Sequence, residues 1–227
     1  MRRTILLALL FCVTAAAQQP VVTVPGEPEN LGRIKEQLKH YQSCAEPDCY
    51  VPQLERQADL AIGFLRQSVS TAKPGDKLAL VLDIDETSLS NWSVEILDDF
   101  GYIPADSDLC VKLRCGKAIP STLRIFREAE KQNVTVFFIT GRPEEQRDDT
   151  EANLKIEGFD RWEQLYMRPS DGPKDETALV YKSGERAKIV AAGYRIVLNV
   201  GDQMSDLNGD PQADHSVKLP NPFYFIP

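Results

Sequence analysis

Five aliphatic residues in a row, Leu78 to Leu82, lead straight into Asp83-Ile84-Asp85-Glu86-Thr87. An apolar run of this kind, with no polar alternation, suits a strand buried on both faces inside a parallel sheet. Asp83 and Asp85 do not belong in that interior. The reading therefore puts them at the strand's carboxyl end, where open α/β sheets build their ligand sites. Like charges this close repel each other, and a hard cation relieves the repulsion. A lone D-x-D also serves as a plain turn or helix cap, so the pair by itself leaves both readings open.

Other segments repeat the pattern. Val134–Ile139 runs into Thr140-Gly141-Arg142, and Leu165–Met167 into Arg168-Pro169. Arg195–Val200 runs into Gly201-Asp202, with Asp206 four residues on, and a weak last strand is expected over 216–218. Helices are predicted over 119–132, 143–156 and 175–192. Strand and helix alternating with short joints imply right-handed βαβ units and a parallel sheet. Two earlier helices are expected over 31–42 and 53–70. In the second, Leu54, Ala58, Ala61, Ile62 and Leu65 recur at helical spacing, the mark of a core-packed hairpin. The proline-rich aromatic tail from Leu219 onward reads as a strap over the surface. Parallel strands deliver their carboxyl ends to one edge, so Asp83, Asp85, Thr140, Arg142, Asp202 and Asp206 should converge. Thr140 as a helix cap and Asp202 in an ordinary turn are the plain alternatives, and the coincidence of all three strand ends weighs against them.

The chain has 227 residues, 42% hydrophobic and 26% charged, enough for one substantial domain. Arg2-Arg3, an apolar stretch over 5–13 and Ala15-Ala16-Ala17 have the pattern of a secretory signal peptide cleaved near Ala17. The expected organisation is a leader over 1–17, an extended segment over 18–30 and a single domain over 31–227. Within that domain, 31–72 form a helical addition and 73–227 the core. The leader's apolar stretch is about half the length needed to cross a bilayer, so no stable membrane anchor is expected. Phe11 before Cys12 argues against lipidation. The expected location is secreted or periplasmic. The net charge of −8 becomes −10 without the leader's two arginines. With no Lys/Arg cluster, such a chain is a poor binder of nucleic acid, though a small anionic substrate stays compatible. The remaining cysteines fall into two equally spaced pairs, Cys44 with Cys49 and Cys110 with Cys115. Export favours two local disulfides, and a zinc site of all four thiolates is the rival.

The ordered motifs carry a family resemblance. Asp83-Ile-Asp-Glu-Thr87 resembles the first motif of the haloacid dehalogenase-like (HAD) phosphohydrolases, and Thr140 their second. Lys182 resembles the third-motif lysine, with Lys188 nearby as the fallback, and Gly201-Asp-Gln-Met-Ser-Asp206 the fourth motif. The strings DIDETSLSNW, YKSGERAKIVAAGYRIV, GDQMSDL and KLPNPFY are similar to those of subfamily IIIB secreted acid phosphatases. The resemblance implies a Rossmann-like α/β HAD fold with a parallel central sheet, the helical addition and a small insert between motifs one and two. It implies an Mg²⁺-dependent phosphatase acting on small phosphate monoesters through an aspartyl-phosphate. Asp83 would be the nucleophile and Asp85 the general acid and base. Asp83, the Asp85 backbone carbonyl and Asp202 would hold Mg²⁺, with Asp206 in support. Thr140, Gly141 and Lys182 would bind the phosphoryl oxygens.

Rival chemistries lack their parts. The chain has no H-E-x-x-H, no G-x-x-x-x-G-K-[ST] and no C-x5-R, and its only histidines are His40 and His215. His215 reads as structural. A catalytically silent storage or binding protein is the rival from another class, although such a protein is expected to have lost the nucleophile or a metal carboxylate. Phosphotransfer to another alcohol is the nearer alternative. Substrate choice falls to 88–120, where Asn91, Trp92, Phe100 and Tyr102 either meet the leaving group or pack against the hairpin.

Overall fold

The computed structural model describes residues 25–226 except Lys174, so the expected leader over 1–17 lies outside the described residues. The chain opens with α1 (Leu31–Ser43) and α2 (Tyr50–Ser70), followed by strand β1 (Lys77–Leu82). A small insert comes next: β2 (Leu89–Ser90), α3 (Trp92–Leu97), α4 (Pro104–Leu113) and β3 (Lys117–Ala118). Then α5 (Pro120–Lys131), β4 (Thr135–Pro143), a 3₁₀ turn at Glu144–Gln146, α6 (Arg147–Ile156) and β5 (Gln164–Arg168) follow. The chain finishes with α7 (Ala178–Ala191), β6 (Tyr194–Gly201), α8 (Met204–Leu207) and β7 (Ser216–Lys218).

Five strands form one sheet in the order β5-β4-β1-β6-β7, every pair parallel. The expected parallel α/β core is therefore present. β1 lies at its centre, and its side chains alternate between two packed layers. Leu78, Leu80 and Leu82 join the layer of Leu54, Ala58, Leu65, Ile125 and Phe126, from α2 and α5. Ala79 and Val81 face the opposite layer with Tyr181 and Ile189 of α7. Both faces of β1 are thus dry, which is why its sequence carries no polar alternation. Leu65 is fully buried, so truncating it to Ala would cost about 2–5 kcal/mol.

Boundaries differ from the sequence reading for identifiable reasons. The helix expected from 143 starts only at Arg147, because β4 runs on through Arg142 to Pro143. A residue before proline is pushed out of the α region, which keeps Arg142 extended. The helix expected from 175 begins at Ala178, where Thr177 caps it by accepting from the Val180 N–H at 3.3 Å. α2 starts at Tyr50 and takes Pro52 into its first turn, where proline is tolerated. Among the described residues, no helix is long and apolar enough to cross a membrane.

Candidate active site

Asp83 continues the alternation of β1 on the side of Ala79 and Val81, and so toward α7. There the chain leaves the sheet. The Asp83 N–H donates to the Val200 carbonyl at 3.1 Å, and Ser88 Oγ donates to the Asp83 carbonyl at 2.6 Å. The Ile84 carbonyl accepts from the N–H groups of Ser88 and Leu89, each at 2.8 Å. This tight loop holds Glu86 at φ 50°, a left-handed conformation that non-glycine residues seldom adopt.

Lys182, on α7, is buried between two carboxylates. Its Nζ donates to Asp83 Oδ1 at 2.6 Å and to Asp206 Oδ1 at 2.5 Å. Oxygen atoms of Asp83, Asp202 and Asp206 all lie within 4.8 Å of one another. Burial pushes the Asp83 carboxyl well above its ordinary range; Lys182 opposes this, while the charges of Asp206 and Asp202 add to it. Burial and the Asp206 charge likewise raise Asp202. Burial would lower Lys182, but its two carboxylate partners outweigh that and raise it. Three buried carboxylates facing a single ammonium leave unbalanced negative charge among oxygen donors. That donor set fits a hard divalent cation.

Asp202 is gripped from several directions. Thr87 Oγ1 donates to its Oδ1 at 2.9 Å, while Gln203 Nε2 and Asn221 Nδ2 donate to its Oδ2 at 2.7 and 2.8 Å. Asp206 Oδ2 accepts from the Gln203 N–H at 2.8 Å. Its approach requires glycine at 201, where a Cβ would stand 2.4 Å from the Cβ of Asp206. Arg186, wholly buried, fastens the loop beyond. It donates to the carbonyls of Asp206 at 2.6 Å, Pro211 at 3.0 Å, Gly209 at 3.1 Å and also Asn208.

The Asp85 side chain stands outside the carboxylate cluster. Arg142 donates to it through Nη2 at 2.6 Å and through Nε at 3.1 Å, and Asn91 Nδ2 donates to it at 2.7 Å. Burial would raise this carboxyl, but the Arg142 guanidinium outweighs burial and holds it below the usual range. Arg142 is itself buried and braced by Thr150 Oγ1 at 3.2 Å. Glu86 accepts from the Asn91 N–H at 2.6 Å and from the Tyr224 hydroxyl at 3.0 Å. Burial, reinforced by the Asp85 charge, pushes Glu86 up to about 8.

Thr140 is buried in the carboxyl-terminal half of β4, where its Oγ1 accepts from the Arg142 N–H at 3.1 Å, and Gly141 beside it is exposed. Lys188 stands apart and pairs with Glu185 at 2.8 Å. Asn91 touches two of the acids, whereas Trp92 packs on Phe223 with ring centroids 5.0 Å apart. Tyr102 is 79% exposed. Both cysteine pairs form disulfides, Cys44–Cys49 and Cys110–Cys115, which rules out the shared zinc site. His215 stacks on Phe64 at 4.2 Å, in keeping with a structural role.

Sequence reasoning passed over Gln203, Asn221, Tyr224 and Arg186. Glu86 and Thr87 lay within the first motif without an assigned part. Their types announce no chemistry, and only the fold brings them to the acids. The available signal was that Gln203 falls in the GDQMSDL string, Arg186 in the run that starts at Tyr181, and Asn221 and Tyr224 in the KLPNPFY string.

Comparison with known proteins gives a consistent result. The sequence pattern of the HAD superfamily, subfamily IIIB (acid phosphatase), matches residues 22–227. The chain is 37% identical over 185 residues to acid phosphatase 1 of Solanum lycopersicum, covering 78% of this chain and 69% of that protein. It is 32% identical over 153 residues to vegetative storage protein 1 of Arabidopsis thaliana, covering 65% of this chain but only 55% of that protein. Among solved structures, the class C acid phosphatase of Bacillus anthracis superposes with a TM-score of 0.70 at 20% identity, covering 86% of each chain. At that identity the likeness speaks for the fold.

Proposed function

Because the chain belongs to subfamily IIIB of the HAD superfamily, the acid phosphatases, and so to the phosphoric monoester hydrolases, we propose that it cleaves small phosphate monoesters through an aspartyl-phosphate on Asp83. The observation that carries this reading is the gathering of Asp83, Asp202 and Asp206 around Lys182 at the carboxyl edge of the sheet. Asp83 is the nucleophile. Lys182 engages only its Oδ1, so Oδ2 is left to attack phosphorus. As the new O–P bond forms, the bond from phosphorus to the ester oxygen breaks, and Asp85, protonated once the negative charge of the bound ester offsets the Arg142 guanidinium, gives its proton to the departing oxygen. Asp85 then takes a proton from water as that water attacks the phosphoryl group, freeing Asp83 and inorganic phosphate. Arg142 and Asn91 hold Asp85 at one orientation through both steps.

Asp83, Asp202 and the Asp85 backbone carbonyl would hold Mg²⁺, supported by Asp206, and the bound ion would offset charge on the transferring phosphoryl group. Thr140, the Gly141 N–H and Lys182 are assigned to the phosphoryl oxygens. We further infer export by way of the leader over 1–17, and a substrate that is a small soluble ester.

The name of the Arabidopsis relative keeps a silent storage protein as the second reading. Retention of every acid in the cluster favours the enzyme. Hydrolysis of p-nitrophenyl phosphate by purified protein tests the choice: release should stop in EDTA, return with Mg²⁺ and vanish in Asp83→Asn. Metal-independent release, or none at any acidic or neutral pH, would refute the proposal.

A further inference from the structure

The C-terminal strap reaches Asp202 through one side chain. Asn221 Nδ2 donates to Asp202 Oδ2 at 2.8 Å, while its Oδ1 accepts from the Phe223 N–H at 2.9 Å. Both ends of the amide are committed, and the N–H donor at one end fixes which end meets the carboxylate. Pro220 and Pro222 flank Asn221 and restrict the backbone there. Next along, Phe223 is buried in an aromatic cluster, with ring centroids 5.3 Å from Tyr50 of α2, 5.0 Å from Trp92 and 6.4 Å from Phe100. The Ile226 N–H donates to Gln203 Oε1 at 3.2 Å, and the same Gln203 donates through Nε2 to Asp202. The strap is therefore tied on one side to the hairpin and the insert, and on the other to the carboxylate.

We propose that Asn221 is a positioning residue for Asp202. Together with Gln203 it occupies Oδ2 and fixes the carboxylate plane, and Phe223 anchors Asn221 to the helical addition. The reading deepens the proposed function, because it rests on Asp202 being a metal ligand. Groups that orient a metal ligand by hydrogen bonding set the affinity of the site, and losing one typically weakens binding about 10–100-fold.

The test is calorimetric titration of Mg²⁺ into the metal-stripped full chain, with wild type, Asp202→Asn, Asn221→Ala, Asn221→Ser and the exposed tail control Phe225→Ala. Serine keeps an acceptor for the Phe223 N–H, and so the local turn, but is too short to reach Asp202. Asn221→Ser and Asn221→Ala should both weaken Mg²⁺ binding about tenfold, with Phe225→Ala unchanged. At saturating Mg²⁺, kcat of Asn221→Ser should recover most of its wild-type value, the mark of a defect in affinity. The inference is overturned if Asn221→Ser binds Mg²⁺ within twofold of wild type, whatever Asn221→Ala does. Wild type that fails to bind Mg²⁺, or Asp202→Asn that binds as well as wild type, would refute the metal reading itself and this inference with it.

Discussion

Lys182→Met isolates the electrostatics of the site from its chemistry. The side chains of Lys182, Asp83 and Asp206 are 9%, 7% and 3% exposed, and the two ion pairs measure 2.6 and 2.5 Å. Methionine keeps the length and apolar stem of lysine but removes the charge, leaving two buried carboxylates beside a third. Breaking a buried pair by deleting one partner costs about 3–5 kcal/mol. For a chain of this size, that loss corresponds to roughly 6–20 °C in Tm. The loss should depend on pH. Burial already raises Asp83, and Lys182 is the group opposing that rise, so its removal drives the carboxyl higher still. A carboxyl raised in the folded state binds a proton that the unfolded chain has released. Its stability contribution is complete below the ordinary carboxylate range and is lost as pH rises through the folded value, about 1.4 kcal/mol for each tenfold gain in proton affinity on folding. Thermal unfolding in EDTA should therefore give a large Tm deficit near neutral pH and a smaller one at acidic pH. Adding Asp83→Asn to Lys182→Met should restore part of the loss, because the residues are in direct contact. A single variant within about 1 kcal/mol of wild type at both pH values would refute the reasoning.

Two further expectations follow from the acids of the first motif. Glu86, pushed up to about 8 by burial and the Asp85 charge, carries stability that is complete below its unfolded pKa and lost as pH rises to its folded value of about 8. Glu86→Gln in EDTA should flatten the fall in Tm from mildly acidic to alkaline pH, and an unchanged slope would show that Glu86 titrates normally. Arg142→Ala frees Asp85 from its guanidinium and raises the carboxyl, so the limb on which activity falls with rising pH should move to higher pH. Its kcat should drop about 100-fold for alkyl phosphates and less for p-nitrophenyl phosphate, whose leaving group needs less protonation; equal losses on both esters would remove Asp85 from proton transfer.

The scaffold was legible because its signals are local. Apolar runs mark strands buried on both faces, and parallel pairing carries their ends to one edge, so Asp83, Thr140 and Asp202 were placed without any contact being known. The disulfides followed from spacing and the expectation of export. The insert was harder to read. Leu97, Leu109 and Leu113 of α3 and α4 are all more than half exposed, so these short helices carry no clean apolar face for a periodicity argument. The supporting polar groups stood inside the motif strings, but their parts were not legible there. Gln203 follows Asp202 directly, yet Asn221 is 19 residues from it and Tyr224 is 138 residues from Glu86. Arg186 looks like an ordinary helix-surface cation until the loop carbonyls close around it. Such contacts exist only once tertiary structure has formed.

The strap comes later in the chain than any other residue assigned to the site. A chain made from its amino end can pair β1, β4, β5 and β6 and draw the acids together before Asn221 arrives. Until then Asp202 has Gln203 and Thr87 but lacks its third donor. The final adjustment of the carboxylate cluster thereby falls to a segment that contributes almost nothing to the sheet.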